Sequence, residues 1–254
     1  MLKIKNLTVS INEKEILKNF NLDIDDSKVY AIMGPNGVGK STLSRVIMGD
    51  KNYHVESGDI VFNNNSILNL TTDERSRLGI FLAMQYPMEI DGISNQDFLK
   101  TAISSKLNKP IGLYDFIMQC EKECNNLKMD KSLIHRSLNV GFSGGEKKKN
   151  EVLQIKLLKP KLIILDELDS GLDVDSLKIV SKNINDYKKD YPETSIIIIT
   201  HHQKLLDYIH PDEVIIMGNG KILKTGNYDL SKDIEENGYE KYMTNIITKD
   251  NKHE

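Results

Sequence analysis

The 254-residue chain is short of everything that would place it inside a membrane. No apolar stretch approaches the roughly 18 residues that a spanning helix requires. The start, Met1-Leu2-Lys3-Ile4-Lys5-Asn6-Leu7, alternates like a strand and carries no hydrophobic core of a signal peptide. These absences lead us to expect a cytoplasmic chain whose membrane role, if it has one, comes through a partner. Cysteine is equally scarce. The two present, Cys120 and Cys124, lie four residues apart in a helical-looking segment from Phe116 to Leu127. Two thiols without further Cys or nearby His fall short of a closed metal site, so they read as idle thiols in a reducing compartment. Net charge is also small, −3, which argues against a general polyanion binder despite the local run Lys147-Lys148-Lys149. There is no internal repeat, and the richness in asparagine and lysine reads as codon bias. What remains, 39% hydrophobic and 28% charged residues, fits one large α/β domain with room for an inserted subdomain.

What is present begins with Gly34-Pro35-Asn36-Gly37-Val38-Gly39-Lys40-Ser41-Thr42, which matches G-x-x-x-x-G-K-[ST]. It follows Val29 to Met33, a short apolar run that reads as a buried strand, and precedes Leu43 to Met48, which can continue as a helix. Strand, glycine turn and helix N-terminus together aim backbone N–H groups at a phosphate, and the helix dipole favours its charge. Glycines keep side chains from blocking that approach. In this pattern Lys40 reaches the β- and γ-phosphates and the Ser41 hydroxyl binds Mg²⁺.

The remaining pattern sets the organisation. Strands are expected at Leu2–Val9, Ile16–Ile24, Val29–Met33, Gly58–Phe62 (turning at Asn63 to Asn65) and Ile80–Ala83. Helical periodicity takes over in three stretches, Asn95 to Ile103, Tyr114 to Leu127 and Glu146 to Leu158. Leu162–Leu165 and Ser195–Ile199 are continuous apolar runs of the kind a doubly covered parallel sheet uses, joined by a helix over Val174–Tyr187. Val214–Met217 and Lys221–Lys224 flank Gly218-Asn219-Gly220 as a hairpin. The run Leu162 to Leu165 ends in Asp166-Glu167, and alternation points these carboxylates differently. Asp166 can enter a Mg²⁺ shell, and Glu167 can serve as general base or water-positioner. Ser143-Gly144-Gly145-Glu146 opens another helix, with Ser143 as N-cap and Glu146 three residues on. That makes a second anion-binding helix N-terminus in a chain that needs one for a single nucleotide.

Taken with Gln85, Asp166-Glu167, Asp169-Ser170-Gly171-Leu172-Asp173 and His201 in this order, the chain resembles the ATP-binding cassette (ABC) family over about residues 2–240. The resemblance implies an ATPase with ATP and Mg²⁺ as ligands. It makes Gly34 to Thr42 the Walker A loop and Gln85 the Q-loop glutamine. It assigns Glu167, His201 and Gln85 to catalysis and Ser41, Gln85 and Asp166 to Mg²⁺. Phe142, Ser143, Gly144, Gly145 and Glu146 become the signature that acts in trans, and Asp169 to Asp173 the D-loop. It further implies a single domain over 1–240 with a mostly parallel sheet core, an antiparallel β edge, a helical subdomain inserted at about 87–158, and a polar tail over 241–254. Because one chain carries one Walker A loop and one signature, two copies head to tail would sandwich two ATP molecules in a transient homodimer.

Within the family, the text around the motifs (Gly79 to Pro87, Phe142 to Glu151 and Asp169 to Asp175) resembles the ATPases of the SUF iron–sulfur cluster assembly machinery. That implies partnership with the scaffold proteins SufB and SufD. A single cassette and a net negative charge argue against a nucleic-acid partner. The rival expectation is the ATPase subunit of a transporter coupled to a separate permease through the Gln85 region. Ile11 stands where cassettes often place an adenine-stacking aromatic, and Leu168 where a small residue usually follows the glutamate. One ammonium of Lys147 to Lys149 is expected to pair with Glu167 in the isolated subunit.

Overall fold

Thirteen non-glycine residues among those described have positive φ, and eight are asparagines: Asn6, Asn12, Asn19, Asn63, Asn64, Asn108, Asn139 and Asn219. Asparagine visits the left-handed region at lower cost than other side chains because its amide bonds locally to the backbone. The abundance read from composition as codon bias therefore has a conformational use in this fold. The computed structural model describes residues 1–243.

The chain opens with strands β1 (Leu2–Ile11), β2 (Lys14–Ile24) and β3 (Val29–Met33), then helix α1 (Lys40–Ile47). There follow β4 (His54–Phe62), β5 (Asn65–Ser66), α2 (Thr72–Leu78), β6 (Ile80–Ala83) and β7 (Ile90–Ser94). Helices α3 (Asn95–Leu107) and α4 (Leu113–Asn126), strand β8 (Ser137–Leu138) and helix α5 (Gly144–Leu158) form the middle. The last part runs β9 (Leu162–Asp166), α6 (Val174–Asp190), β10 (Ser195–Ile199), α7 (Gln203–Tyr208), β11 (Glu213–Gly218), β12 (Lys221–Gly226) and α8 (Asp229–Asn237).

A six-stranded sheet orders these as β12-β11-β3-β10-β9-β6. All its neighbours pair in parallel except β11 and β12, which form the antiparallel hairpin. A second, antiparallel sheet of order β2-β1-β4-β5 lies beside it. Period-two alternation divides the central strands between two cores. Tyr30, Ile32, Leu162, Ile164, Ile197 and Ile199 share one with Leu2, Ile4, Leu7 and Phe20 of the antiparallel sheet and with Leu43 and Ile47 of α1. Ala31, Met33, Ile163, Leu165, Ile196 and Ile198 share the other with Val152 and Ile155 of α5 and Leu177, Val180 and Ile184 of α6. Both faces are covered, which is why these runs are apolar without interruption.

Helix ends follow their local signals. Thr71 and Glu74 close a capping box on α2, and Ser94 accepts the Asp97 N–H at 3.0 Å to start α3. Arg75 is buried, and its guanidinium donates to the carbonyls of Val46 (2.8 Å) and Ile47 (2.9 Å), satisfying the end of α1. The strand at Gly58–Phe62 starts earlier than expected, at His54, because its first half pairs with the far end of β1. Helices α2 and α7 and the short pair β7–β8 carry too few residues for periodicity to betray them. Of the tail expected over 241–254, residues 244–254 lie outside the described residues.

Candidate functional site

The loop from Gly34 to Gly39 leaves the carboxyl end of β3 and turns into α1. A Cβ at Gly34 would stand 2.4 Å from the Met217 carbonyl oxygen of β11, so no side chain fits there. Gly39 takes φ 105° at the N-cap of α1, and no side chain caps that end. The first-turn N–H groups are thus left for a ligand, and the dipole favours an anion. Lys40 is buried beneath the loop, and its ammonium donates to the carbonyls of Gly34 (2.7 Å) and Pro35 (2.9 Å). Burial pushes its pKa down, while the carboxylates of Glu167 and Asp166 pull the other way.

Across the loop, β9 delivers Asp166 to α1. Its carboxylate accepts from Ser41 Oγ at 3.3 Å and from Ser44 Oγ at 2.9 Å. Burial pushes the Asp166 pKa up, and the two hydroxyls counter it. The chain then breaks strand geometry. Glu167 sits in the left-handed region at φ 48°, where its N–H donates to Ile199 O at 2.9 Å. Strain of that kind at a carboxylate turns the side chain out of the sheet toward the phosphate loop. Glu167 Oε2 accepts from Gln85 Nε2 at 2.5 Å, and His201 Nδ1 lies 3.6 Å from Glu167 Oε1. Gln85, Glu167 and His201 line one cleft of about 560 Å³ with Gly37, Lys40 and Ser41; Ile11 and Ile16 form its apolar side.

An Mg–nucleotide fits this donor set on three counts. The glycine cradle admits no Cβ at Gly34, the helix end is uncapped, and hard oxygen donors of Ser41 and Asp166 converge 3.3 Å apart.

The signature stretch is not in this cleft. None of Phe142, Ser143, Gly144, Gly145 or Glu146 lines it. Ser143 and Glu146 form a capping box at the start of α5, with Ser143 N–H donating to Glu146 at 2.7 Å and Glu146 N–H donating to Ser143 Oγ at 3.3 Å. The Ser143 N–H holds the Glu146 carboxyl below its usual range. A Cβ on Gly144 would stand 3.6 Å from Gly171 O, so signature and D-loop pack side by side. In the D-loop, Asp169 accepts from Thr200 Oγ1 at 3.2 Å, and Asp173 caps α6 by accepting the Ser176 N–H at 2.6 Å.

Residues 17–170 match the ABC transporter family. The chain is 53% identical over 247 residues to a probable ATP-dependent transporter, ycf16, of Trieres chinensis, covering 94% of this chain and 96% of that one. This chain belongs to the ABC family. It is accordingly a P-loop ATPase of the cassette type. The cassette is also 47% identical to vegetative protein 296 of Bacillus subtilis (strain 168), over 94% of this chain and 93% of that one. In fold it matches the dimeric structure of MJ0796, a bacterial ABC transporter cassette, with a TM-score of 0.78 at 19% identity, covering 90% of this chain and 99% of that one.

One expectation fails in the cassette. No ammonium of the lysine run reaches Glu167. Lys147 pairs with Glu89 at 2.5 Å, Lys148 lies 3.4 Å from Glu151 and donates to Met84 O, and Lys149 donates to Lys128 O at 3.4 Å. Successive helix positions point the three stems about 100° apart, so each finds its own nearest acceptor, and the partners of Glu167 are Gln85 and His201. Leu168, by contrast, has a clear use: it is fully buried in the core beneath α5 and α6. Sequence reasoning missed Ser44, whose hydroxyl is the shorter of the two bonds to Asp166. Its place one turn after Ser41 on α1 was the available signal. It also missed Thr200, the tie between the D-loop and the turn at His201.

Among the described residues, no helix is long and apolar enough to cross a membrane. Cys120 and Cys124 are free and buried, and burial pushes their thiols up to about 12 and about 11.

Proposed function

We propose that the cassette is the SufC-type ATPase of iron–sulfur cluster assembly, hydrolysing ATP between two head-to-tail copies to drive a SufB–SufD scaffold. The carrying observation is the division of the site. Lys40, Ser41, Gln85, Glu167 and His201 share one cleft, while the capped glycines of the signature stand outside it. A second copy supplies what the cleft lacks: an N-terminus of α5 aimed at the γ-phosphate from the other side.

In this reading the loop N–H groups and Lys40 hold the β- and γ-phosphates. Mg²⁺, held by Ser41, Gln85 and Asp166, would neutralise the charge developing on the phosphoryl oxygens. Glu167 positions the attacking water, with Gln85 and His201 fixing its carboxylate and meeting the γ-phosphate. Residues 1–240 act as one domain, the helical part at about 87–158 carrying the signature toward the partner copy, in a cytoplasmic compartment. The stretches Gly79 to Pro87 and Phe142 to Glu151 support the SUF assignment.

The second reading, a transporter subunit acting on a separate permease, is favoured by the relative named a probable ATP-dependent transporter. Affinity capture of the tagged chain from its native cell separates the two. Recovery of SufB and SufD supports cluster assembly, and recovery of permease subunits overturns it. For the sandwich, Glu167→Gln should bind ATP and elute as a dimer in size-exclusion chromatography with Mg-ATP. A variant that binds ATP yet stays monomeric under those conditions sinks the shared site.

A further inference from the structure

Helix α5, whose N-terminus carries the signature, also touches both ends of the loop that carries Gln85. At the near end, Glu151 Oε1 accepts the Met84 N–H at 2.6 Å, and Lys148 donates to the carbonyl of the same residue. One residue's main chain is thus gripped on both its polar groups by side chains one turn apart on α5. At the far end the connection is a ladder of buried amides. Asn150 donates to Asn139 Oδ1 at 2.9 Å, and Asn139 donates to the Met88 carbonyl at 2.8 Å. Asn150 also accepts from Asn95 Nδ2 at 2.7 Å, tying in the start of α3. Asn95, Asn139, Asn150, Lys148 and Glu151 are each at most 5% exposed. Buried amides and charges are costly unless their partners are held in place, so such a chain defines one geometry. The main-chain carbonyl of Asn139 accepts the Phe142 N–H at 3.3 Å, so the same residue anchors the approach to the signature.

We propose that α5 is a two-point clamp on the 84–88 loop, with Glu151 and Asn150 as positioning residues that set where Gln85 presents its amide to Glu167. Seating the signature on a partner copy then moves Gln85 through α5 itself. The inference rests on the proposed roles of Gln85 and Glu167.

The test uses the full-length chain under the conditions in which it turns over ATP. Asn150→Asp keeps the acceptor toward Asn95 but loses the donor toward Asn139, which cuts the tie to Met88. We expect a roughly tenfold fall in kcat, KM for ATP within twofold, and faster amide hydrogen exchange confined to a peptide spanning residues 85–94. Glu151→Gln retains the acceptor for the Met84 N–H and should keep kcat within twofold, whereas Glu151→Leu should lose about tenfold. Faster exchange with unchanged kcat overturns the clamp, as does a loss of kcat and ATP affinity together. If Asn150→Asp does not fold, the Glu151 pair decides: equal loss in Gln and Leu variants overturns the proposal. Gln85→Ala serves as the reference. If it turns over ATP normally, the reading of the site has failed; if it is slow while the α5 variants are normal, only the clamp has.

Discussion

The half of the site on α1 and the half that depends on α5 are built from different materials. Around the phosphate loop the ligand-facing groups are main-chain N–H groups, a glycine where Cβ would strike Met217, and one lysine buried against carbonyls. Its foundations are apolar: Leu43, Val46 and Ile47 of α1 pack among the isoleucines of the central strands. The link from α5 to the Gln85 loop is made instead of buried polar side chains, Lys148, Asn150 and Glu151. Apolar packing resists displacement in every direction and is indifferent to pH. Hydrogen bonds are directional and few, so a link made of them holds one geometry and responds to charge. The contrast sets a nucleotide cradle on apolar foundations against a loop held at both ends by directional polar bonds.

That contrast can be attacked from the cradle side first. Replacing Lys40 by Ala should lower turnover about a thousandfold by removing the ammonium that offsets negative charge on the transferring phosphoryl group; steady-state kinetics with nucleotide-binding titration measures it. Near-normal turnover would mean that the cradle does not depend on its lysine. Leu168→Ala removes a fully buried side chain from the core below α5 and α6. We expect a loss of about 3 kcal/mol in urea unfolding, and a loss below about 1 kcal/mol would show this part of the core to be looser than the cradle. Gly34→Ala must push the loop away from the Met217 carbonyl, 2.4 Å from the new Cβ. It should cost about 2 kcal/mol of stability, with ATP affinity falling as well; unchanged affinity would show that the loop can give.

The smallest effect sharpens the other side. Burial raises the Glu151 carboxyl from its ordinary 4.5 to about 7, with Lys148 lowering it and Asp166 raising it. The folded protein therefore binds this proton more tightly than the unfolded chain does. The contribution is full below about pH 4.5 and is lost as pH rises to about 7, so this group lowers stability across that window. Glu151→Gln should remove that slope, seen as a smaller difference in urea midpoint between about pH 5 and pH 7 than in the parent chain. A difference of equal size in both proteins would exclude Glu151 as its source.

Short-range patterns made the cradle easy to read. The residues from Gly34 to Thr42 adjoin in sequence, and the strands Val29–Met33, Leu162–Asp166 and Ser195–Ile199 announce themselves by unbroken apolar runs. Glu167 was legible as a carboxylate ending an apolar strand, but Gln85 and His201 could be named only through the order of family motifs, because Gln85 meets Glu167 across 82 residues and His201 reaches it from beyond a separate strand. The contacts of Lys148 and Glu151 with Met84 span 64 and 67 residues. No local rule predicts which acceptor a lysine on a helix will find, and the expectation that one would reach Glu167 failed on that point.

Chain chemistry alone settled which long apolar segments become strands of the central sheet, where glycine is obligatory, and that the loop before α1 would bind an anion. Those properties depend on φ/ψ preference, alternation and hydrogen-bonding groups within a few residues of one another. Folding in three dimensions settled the rest: that Glu167 turns out of β9 toward Gln85, that the signature stands outside its own cleft, and that α5 holds the Gln85 loop at both ends. Each of these is a pairing between distant groups, decided by which buried donor finds which buried acceptor once the layers have closed.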